Sequence, residues 1–232
     1  MFNIDYEISI DSLDKNKRVN FKEIFRILEN AFAKHSSFLK VGLEDIIKMG
    51  YTIVLLSWKL EINTQPKFGD KLKINTWIKD TDKKYFYRDF EIYKDGKLIG
   101  KATSKWMLID LNSFKPVINL ELMKKQNPID KDVFNIKDIN RLKELDYYSN
   151  KQDYYIRKSD IDINNHVHNL NYFDMVLEVV DDLYYNNIEI EYLKEIKYND
   201  KIKIMSEKIK DKYFIKVFNE TKNVTSALIE IY

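Results

Sequence analysis

The sequence predicts an α+β protein in which one design, a long helix followed by antiparallel strands, occurs twice within 232 residues. Three observations lead there. Apolar residues recur at helical spacing over residues 21 to 34. A long stretch from Tyr51 to Asp110 is rich in β-branched and aromatic residues and is broken by turn residues. The same order, helix pattern and then strands, returns after residue 153.

In the first helix Phe21, Ile24, Phe25, Ile27, Leu28, Ala31 and Phe32 make one apolar stripe, which a sheet must cover. Long antiparallel strands should follow from Tyr51 to Asp110, punctuated by Pro66, Gly69-Asp70 and the turn Asp95-Gly96. Residues 111 to 153 hold two of the three prolines, Pro116 and Pro128, and a polar stretch from Lys137 to Lys151. That interruption predicts a linker with some helix. A second helix is expected over 169 to 184, with Tyr172, Phe173, Val176, Val179 and Val180 on one side. Strands should follow at about 188 to 195, 200 to 209 and 213 to 219, and at the C-terminus. The expected division is 1–130, a linker over 131–152, and 153–232.

Two ungapped registers support duplication. Laying Trp58–Trp77 over Ile188–Glu207 matches Glu61 with Glu191, Lys67 with Lys197, Asp70 with Asp200, Lys71 with Lys201, Lys73 with Lys203 and Ile74 with Ile204. A second register pairs Asp14, Asn16 and Val19 with Asp162, Asn164 and Val167, each loop at the start of its helix. The copies differ where chemistry would differ. Arg18 faces His166, and Gln65 faces Glu195.

Hydrophobic content of 44% with 14% aromatic residues can fill a core, and 39 Lys and Arg against 37 Asp and Glu give no support to nucleic-acid binding. Cysteine is absent, which removes disulfides, thiolate metal sites and cysteine nucleophiles. The start Met1-Phe2-Asn3-Ile4 has no basic then apolar leader pattern, and no segment approaches the about 18 apolar residues of a membrane span. A soluble cytoplasmic protein is expected. The five glycines form no phosphate loop, dinucleotide fingerprint or G-x-S-x-G elbow, so no cofactor is expected. His166 and His168 lack the pattern of further ligands that a metal needs, and no metal is expected either. His35, after the first helix, reads as a cap or surface residue.

The run from Ser159 to Tyr172 gathers Asp, Asn and His just before an apolar helix-like segment. Neutral imidazole donates through one nitrogen and accepts through the other, and its ordinary pKa of ~6.5 allows proton exchange near neutrality. Asp162 and Asn164 lie four and two residues before His166, so an extended loop can bring a carboxylate, an amide and an imidazole to one face. Backbone N–H groups at the following helix start suit a carbonyl oxygen that becomes an oxyanion. Acyl transfer or hydrolysis fits. Capping and turn duty explains Asp160, Asp162, Asn164 and Asn169 equally well.

At these residues the sequence resembles the acyl-acyl-carrier-protein thioesterases, the double-hotdog family of plant plastids and bacteria. Asp160-x-Asp162-x-Asn164-x-His166-Val167-x-Asn169-x-x-Tyr172 is similar to the family's catalytic loop and the start of its second helix. Glu191-Tyr192-Leu193-Lys194-Glu195 resembles its Glu-Tyr-x-x-Glu strand. Thr76-Trp77, Arg88-Asp89-Phe90 and Ala102-Thr103-Ser104-Lys105-Trp106 follow one another like segments of its first hotdog domain.

The resemblance implies a tandem double hotdog, each unit a helix on an antiparallel sheet, with the acyl-chain pocket in the N-terminal unit and catalysis in the C-terminal one. It implies hydrolysis of a fatty acyl thioester on acyl carrier protein to free fatty acid. Asp162, Asn164, His166 and Glu195 match the catalytic set. Asp162 would attack the thioester or activate water, His166 and Asn164 would orient the acyl group, and Glu195 would position water and tune the imidazole. An anhydride intermediate and direct attack by water both remain open. Plant members carry Cys after that Glu, whereas Ile196 stands here, which speaks against a cysteine nucleophile. Ile53-Val54-Leu55-Leu56 and the first helix are candidate tunnel walls. Lys194, Lys197, Lys201 and Lys203 are candidates for docking an acidic carrier, although a solvated strand edge explains them as well. A monomer or a homodimer is compatible with two units in one chain. The competing readings are a hotdog enzyme acting on acyl-CoA and a non-catalytic acyl-binding regulatory module.

Overall fold

The computed structural model describes all residues except 80–83, 136–140 and 181–185. It divides into two compact units, Met1–Ile139 and Asn140–Tyr232. Their architecture is the double hotdog, one unit per repeat.

Unit 1 opens with strand β1 (Phe2–Glu7), followed by helices α1 (Phe21–Phe38) and α2 (Leu43–Lys48). Four strands come next: β2 (Tyr51–Ile62), β3 (Lys71–Ile78), β4 (Phe86–Lys94) and β5 (Lys97–Asp110), then the short helix α3 (Leu120–Lys125). The strands pair antiparallel in the order β1-β3-β4-β5-β2. Helix α1 runs one turn past the expected end because both ends are capped. The Asn20 side chain accepts from Glu23 N at 2.8 Å. At the other end Lys40, at φ 56°, lets Lys40 N reach Ser37 O and Val41 N reach Ser36 O. The stripe of Phe21, Ile24, Phe25, Ile27, Leu28 and Ala31 is buried as expected.

His35 does not lie after the helix at the surface. It sits in the last turn of α1, 7% exposed, stacked on Phe2 and 2.7 Å from Arg88 Nη1. Alternation along β4 explains the Arg88-Asp89 pair. Arg88 turns inward to His35, Thr76 and the Phe32 ring, whereas Asp89 turns to the other face. There Asp89 accepts from Val133 N and lies 3.4 Å from buried Lys79, whose ammonium also donates to Phe134 O. Trp77 Nε1 donates to Lys131 O. Residues 129–134, which straddle the expected boundary between the first domain and the linker, are thus strapped onto the unit 1 sheet.

Unit 2 contains β6 (Asn150–Tyr154), the helix α4 (Tyr172–Leu177), and strands β7 (Asn187–Tyr192), β8 (Ile202–Ile209), β9 (Lys212–Asn219) and β10 (Val224–Ile231). They pair antiparallel in the order β7-β10-β9-β8-β6. Strand β6 was hidden in the polar linker composition; its first four residues are exposed and it lies at an edge, where apolar alternation is not needed. The second helix is shorter than expected over the described residues: a 3-10 turn at Asn169–Asn171 leads into α4, and 181–184 of the expected span lie outside them. Tyr172, Phe173, Met175 and Val176 are its buried side chains. No helix among the described residues is long and apolar enough to cross a membrane.

Candidate active site

The loop from Ile161 to Val167 closes on itself. Its ends form an antiparallel bridge, Asp162 N donates to His166 O at 2.8 Å, and Asn165 turns the chain at φ 59°. The Asp162 carboxylate organises the interior: Oδ1 accepts from Asn164 N at 2.8 Å and from His166 N at 3.3 Å, and Oδ2 lies 3.4 Å from Asn164 Nδ2. This is the Asx geometry that short polar side chains impose on a backbone. It gathers the Asp162 carboxylate, the Asn164 amide and the backbone N–H of His166 within one loop.

Unit 1 repeats the loop almost atom for atom. Leu13 bridges Val19, Asp14 N donates to Arg18 O at 2.7 Å, and Lys17 turns the chain at φ 61°. Asp14 Oδ1 accepts from Asn16 N at 2.8 Å and Arg18 N at 2.9 Å. The turn after the second strand repeats too: Asp70 Oδ2 accepts from Lys67 N, and Asp200 Oδ2 from Lys197 N, both at 2.8 Å. The Asp accepts the same two backbone bonds in both copies, whichever side chain stands at the sixth position. Among the candidate site positions of the loop, Asp and Asn are common to both copies and the sixth position differs, His166 against Arg18.

Glu195 follows the end of β7. Leu193 N and Lys194 N both bond to Ser226 O, where β10 bulges between Thr225 and Ala227, and this turns the chain away from the ladder. Val167 N then donates to Ile196 O at 2.8 Å. His166 and Glu195 are thus each one residue from the same backbone hydrogen bond. The Glu195 carboxylate is about half exposed, 3.9 Å from Lys222 Nζ, and among the described residues no hydrogen bond joins it to Asp162 or His166. Beneath it the Tyr172 hydroxyl is buried and pushed well above its usual pKa, first by burial and then by the charge of Glu195. Of the lysines near it, Lys203 is occupied by Glu220 at 2.5 Å; Lys194, Lys197 and Lys201 are exposed.

Several residues have surroundings that the sequence does not announce. Asp160, 2% exposed, pairs with Arg157 directly before the loop. Lys222 approaches Glu195 from a turn with no motif of its own. In unit 1 a cavity of about 20 Å³ is lined by Phe32, Ser36, Ile53, Arg88 and Trp106 among others, room for about one water rather than an acyl chain. Burial leaves Arg88 Nη2 without a partner and lowers its pKa to about 9. Glu29 shares the α1 face of Phe32 and Ser36, and burial raises its carboxyl to about 7. Neighbouring apolar residues at positions 27, 28, 31 and 32 were the only available signal.

Family models for the acyl-ACP thioesterase N-terminal domain and C-terminal domain match residues 1–123 and 143–230. An oleoyl-acyl carrier protein thioesterase from Arabidopsis thaliana is 25% identical over 219 residues, 84% of this chain and 58% of the relative. The chain thus spans little more than half the length of that curated relative. A Bacteroides thetaiotaomicron acyl-ACP thioesterase structure superposes with a TM-score of 0.88 at 21% identity, covering 99% of this chain and 96% of that one. The 12:0-ACP thioesterase of Umbellularia californica gives 0.87 at 16% identity, with 99% and 95% covered.

Proposed function

The chain belongs to the acyl-ACP thioesterase family, and from that premise we propose that it hydrolyses a fatty acyl thioester on acyl carrier protein to free fatty acid. The observation that carries the reading is the unequal repeat. Two loops share one backbone geometry, yet only the second combines an imidazole with a carboxylate on the adjoining strand end. Binding an apolar chain needs neither group, so a purely acyl-binding module leaves His166 and Glu195 unexplained.

The geometry supports the following roles. Asp162 Oδ1 is committed to the loop backbone, so any attack on the thioester or on water falls to Oδ2, held near the Asn164 amide. Asn164 Nδ2 and the His166 ring are the donors that would orient the acyl carbonyl. Glu195, half exposed beside Lys222, is suited to take a proton from water. No metal or cofactor is required by these steps.

The acyl chain is assigned to unit 1, where Phe32 and Trp106, stacked at 4.5 Å, line the small cavity and would part to admit it. Lys194, Lys197 and Lys201 are the exposed cations available to an acidic carrier. A cytoplasmic site of action belongs to the same proposal. Matched acyl-carrier and acyl-CoA substrates test it: release of fatty acid from the carrier substrate, lost in His166→Ala by about 100-fold, is the expected result. Preference for acyl-CoA would overturn the carrier assignment, and hydrolysis of neither would overturn the enzyme.

A further inference from the structure

The two copies also differ one position before their loops. Each loop is entered through a 3-10 turn, Ile10–Ser12 in unit 1 and Lys158–Asp160 in unit 2. The backbone bonds correspond one for one. Ser12 N to Ser9 O matches Asp160 N to Arg157 O, Leu13 N to Ile10 O matches Ile161 N to Lys158 O, and Asn20 N to Ser12 O matches His168 N to Asp160 O. The side chains do not correspond. Unit 1 places two serine hydroxyls 3.2 Å apart, whereas unit 2 places a carboxylate against a guanidinium.

Asp160 is held on every side. Its carboxylate accepts from Arg157 N at 2.7 Å and Arg157 Nε at 3.0 Å, and lies 2.8 Å from Arg157 Nη2. Its carbonyl accepts from His168 N at 2.9 Å and Asn171 Nδ2 at 3.0 Å. Arg157 Nη2 also reaches Asp174 on α4 at 3.2 Å. The pair of Asp160 and Arg157 therefore joins the loop's entrance, its exit and the helix that follows. Charge-assisted bonds of this kind hold geometry more stiffly than neutral ones, and a buried carboxylate is costly unless so paired. Because unit 1 builds the same backbone with serines, the ion pair is not what folds the loop.

We propose that Asp160, acting with Arg157, is a positioning residue that keeps the loop of Asp162, Asn164 and His166 in register with Ile196 and Glu195. The inference rests on the catalytic reading of Asp162, Asn164, His166 and Glu195. Rigid support behind reacting groups matters because small misplacement removes much of the benefit of orientation.

Asp160→Ser tests this with the residue that the other repeat carries at the same place, so the variant has a precedent for folding. Two measurements are made: hydrogen exchange of the Val167 amide, which bonds Ile196 O, and steady-state hydrolysis of an acyl-carrier thioester. The expected result is cooperative unfolding as in the parent, Val167 protection reduced at least tenfold with β9 amides unchanged, and kcat reduced at least tenfold with KM within twofold. Arg157→Ser/Asp160→Ser should lose no more than either single variant, and Asp160→Asn should recover part of kcat. Unchanged Val167 protection, or kcat that falls only with the folded fraction, overturns the proposal. Reduced protection in a chain whose parent hydrolyses no acyl thioester would uphold the clamp and overturn the hydrolase reading instead.

Discussion

His35 sits 2.7 Å from the Arg88 guanidinium inside unit 1, and burial together with that positive charge lowers its pKa to about 4. The neutral ring is the form that fits, accepting from Arg88 Nη1. Its folded pKa lies below the ordinary value near ~6.5, so its contribution is present above that value and is lost as pH falls toward 4. The amount at stake is up to about 3 kcal/mol. His35→Gln keeps an acceptor and cannot titrate. Denaturant unfolding of both proteins at pH 7 and pH 4.5 should show the parent losing stability relative to the variant, and an equal loss in both would remove His35 from the acid response. Asp162 raises the other question at this scale, because its two oxygens do different things. Asp162→Asn can still accept from Asn164 N and His166 N, so the loop should survive while turnover falls about 100-fold. Retained turnover in a folded Asp162→Asn would leave Asp162 a loop residue only, the duty Asp14 performs in unit 1.

Between single residues and the whole chain stand the repeated elements, which carry their own strain. Lys17 and Asn165 occupy the same left-handed position in the two loops, at φ 61° and 59°. Asparagine occupies that region at less cost than lysine, so Lys17→Asn should stabilise unit 1 by about 0.5 to 1 kcal/mol, read as a higher denaturant midpoint at unchanged m-value. A lower midpoint would mean that the lysine makes contacts worth more than the strain. The strap over β3 and β4 is held differently, by Lys79 and Asp89, 1% and 0% exposed. Neither residue announces this in the sequence: one follows a strand and the other follows Arg88, and only the register of β3 with β4 and the return of residues 129–134 make them partners.

At the scale of the whole chain, the proposed chemistry falls to one of the two copies. His166→Arg with Glu195→Gln gives unit 2 the side chains unit 1 already carries on the same backbone. The double variant should fold and show no hydrolysis above background, whereas Arg18→Ala in unit 1 should keep turnover within about twofold, since a residue outside the reacting set contributes little; full activity in the first or collapse of activity in the second would reverse the assignment of copies. Much of this was legible in the amino-acid order alone. The α1 stripe, the strands around Asp95-Gly96, the two repeat registers and the grouping of Asp162, Asn164 and His166 all follow from local rules of periodicity, turn chemistry and side-chain reach. What local rules do not contain is which distant segment comes back to pair. The bond from Val167 to Ile196, the clamp of Arg157 on Asp174, the burial of His35 against Arg88 and the edge strand β6 depend on contacts between segments far apart in the chain. Tertiary packing decided those, because burial and pairing set the energy of a polar group more strongly than its own identity does.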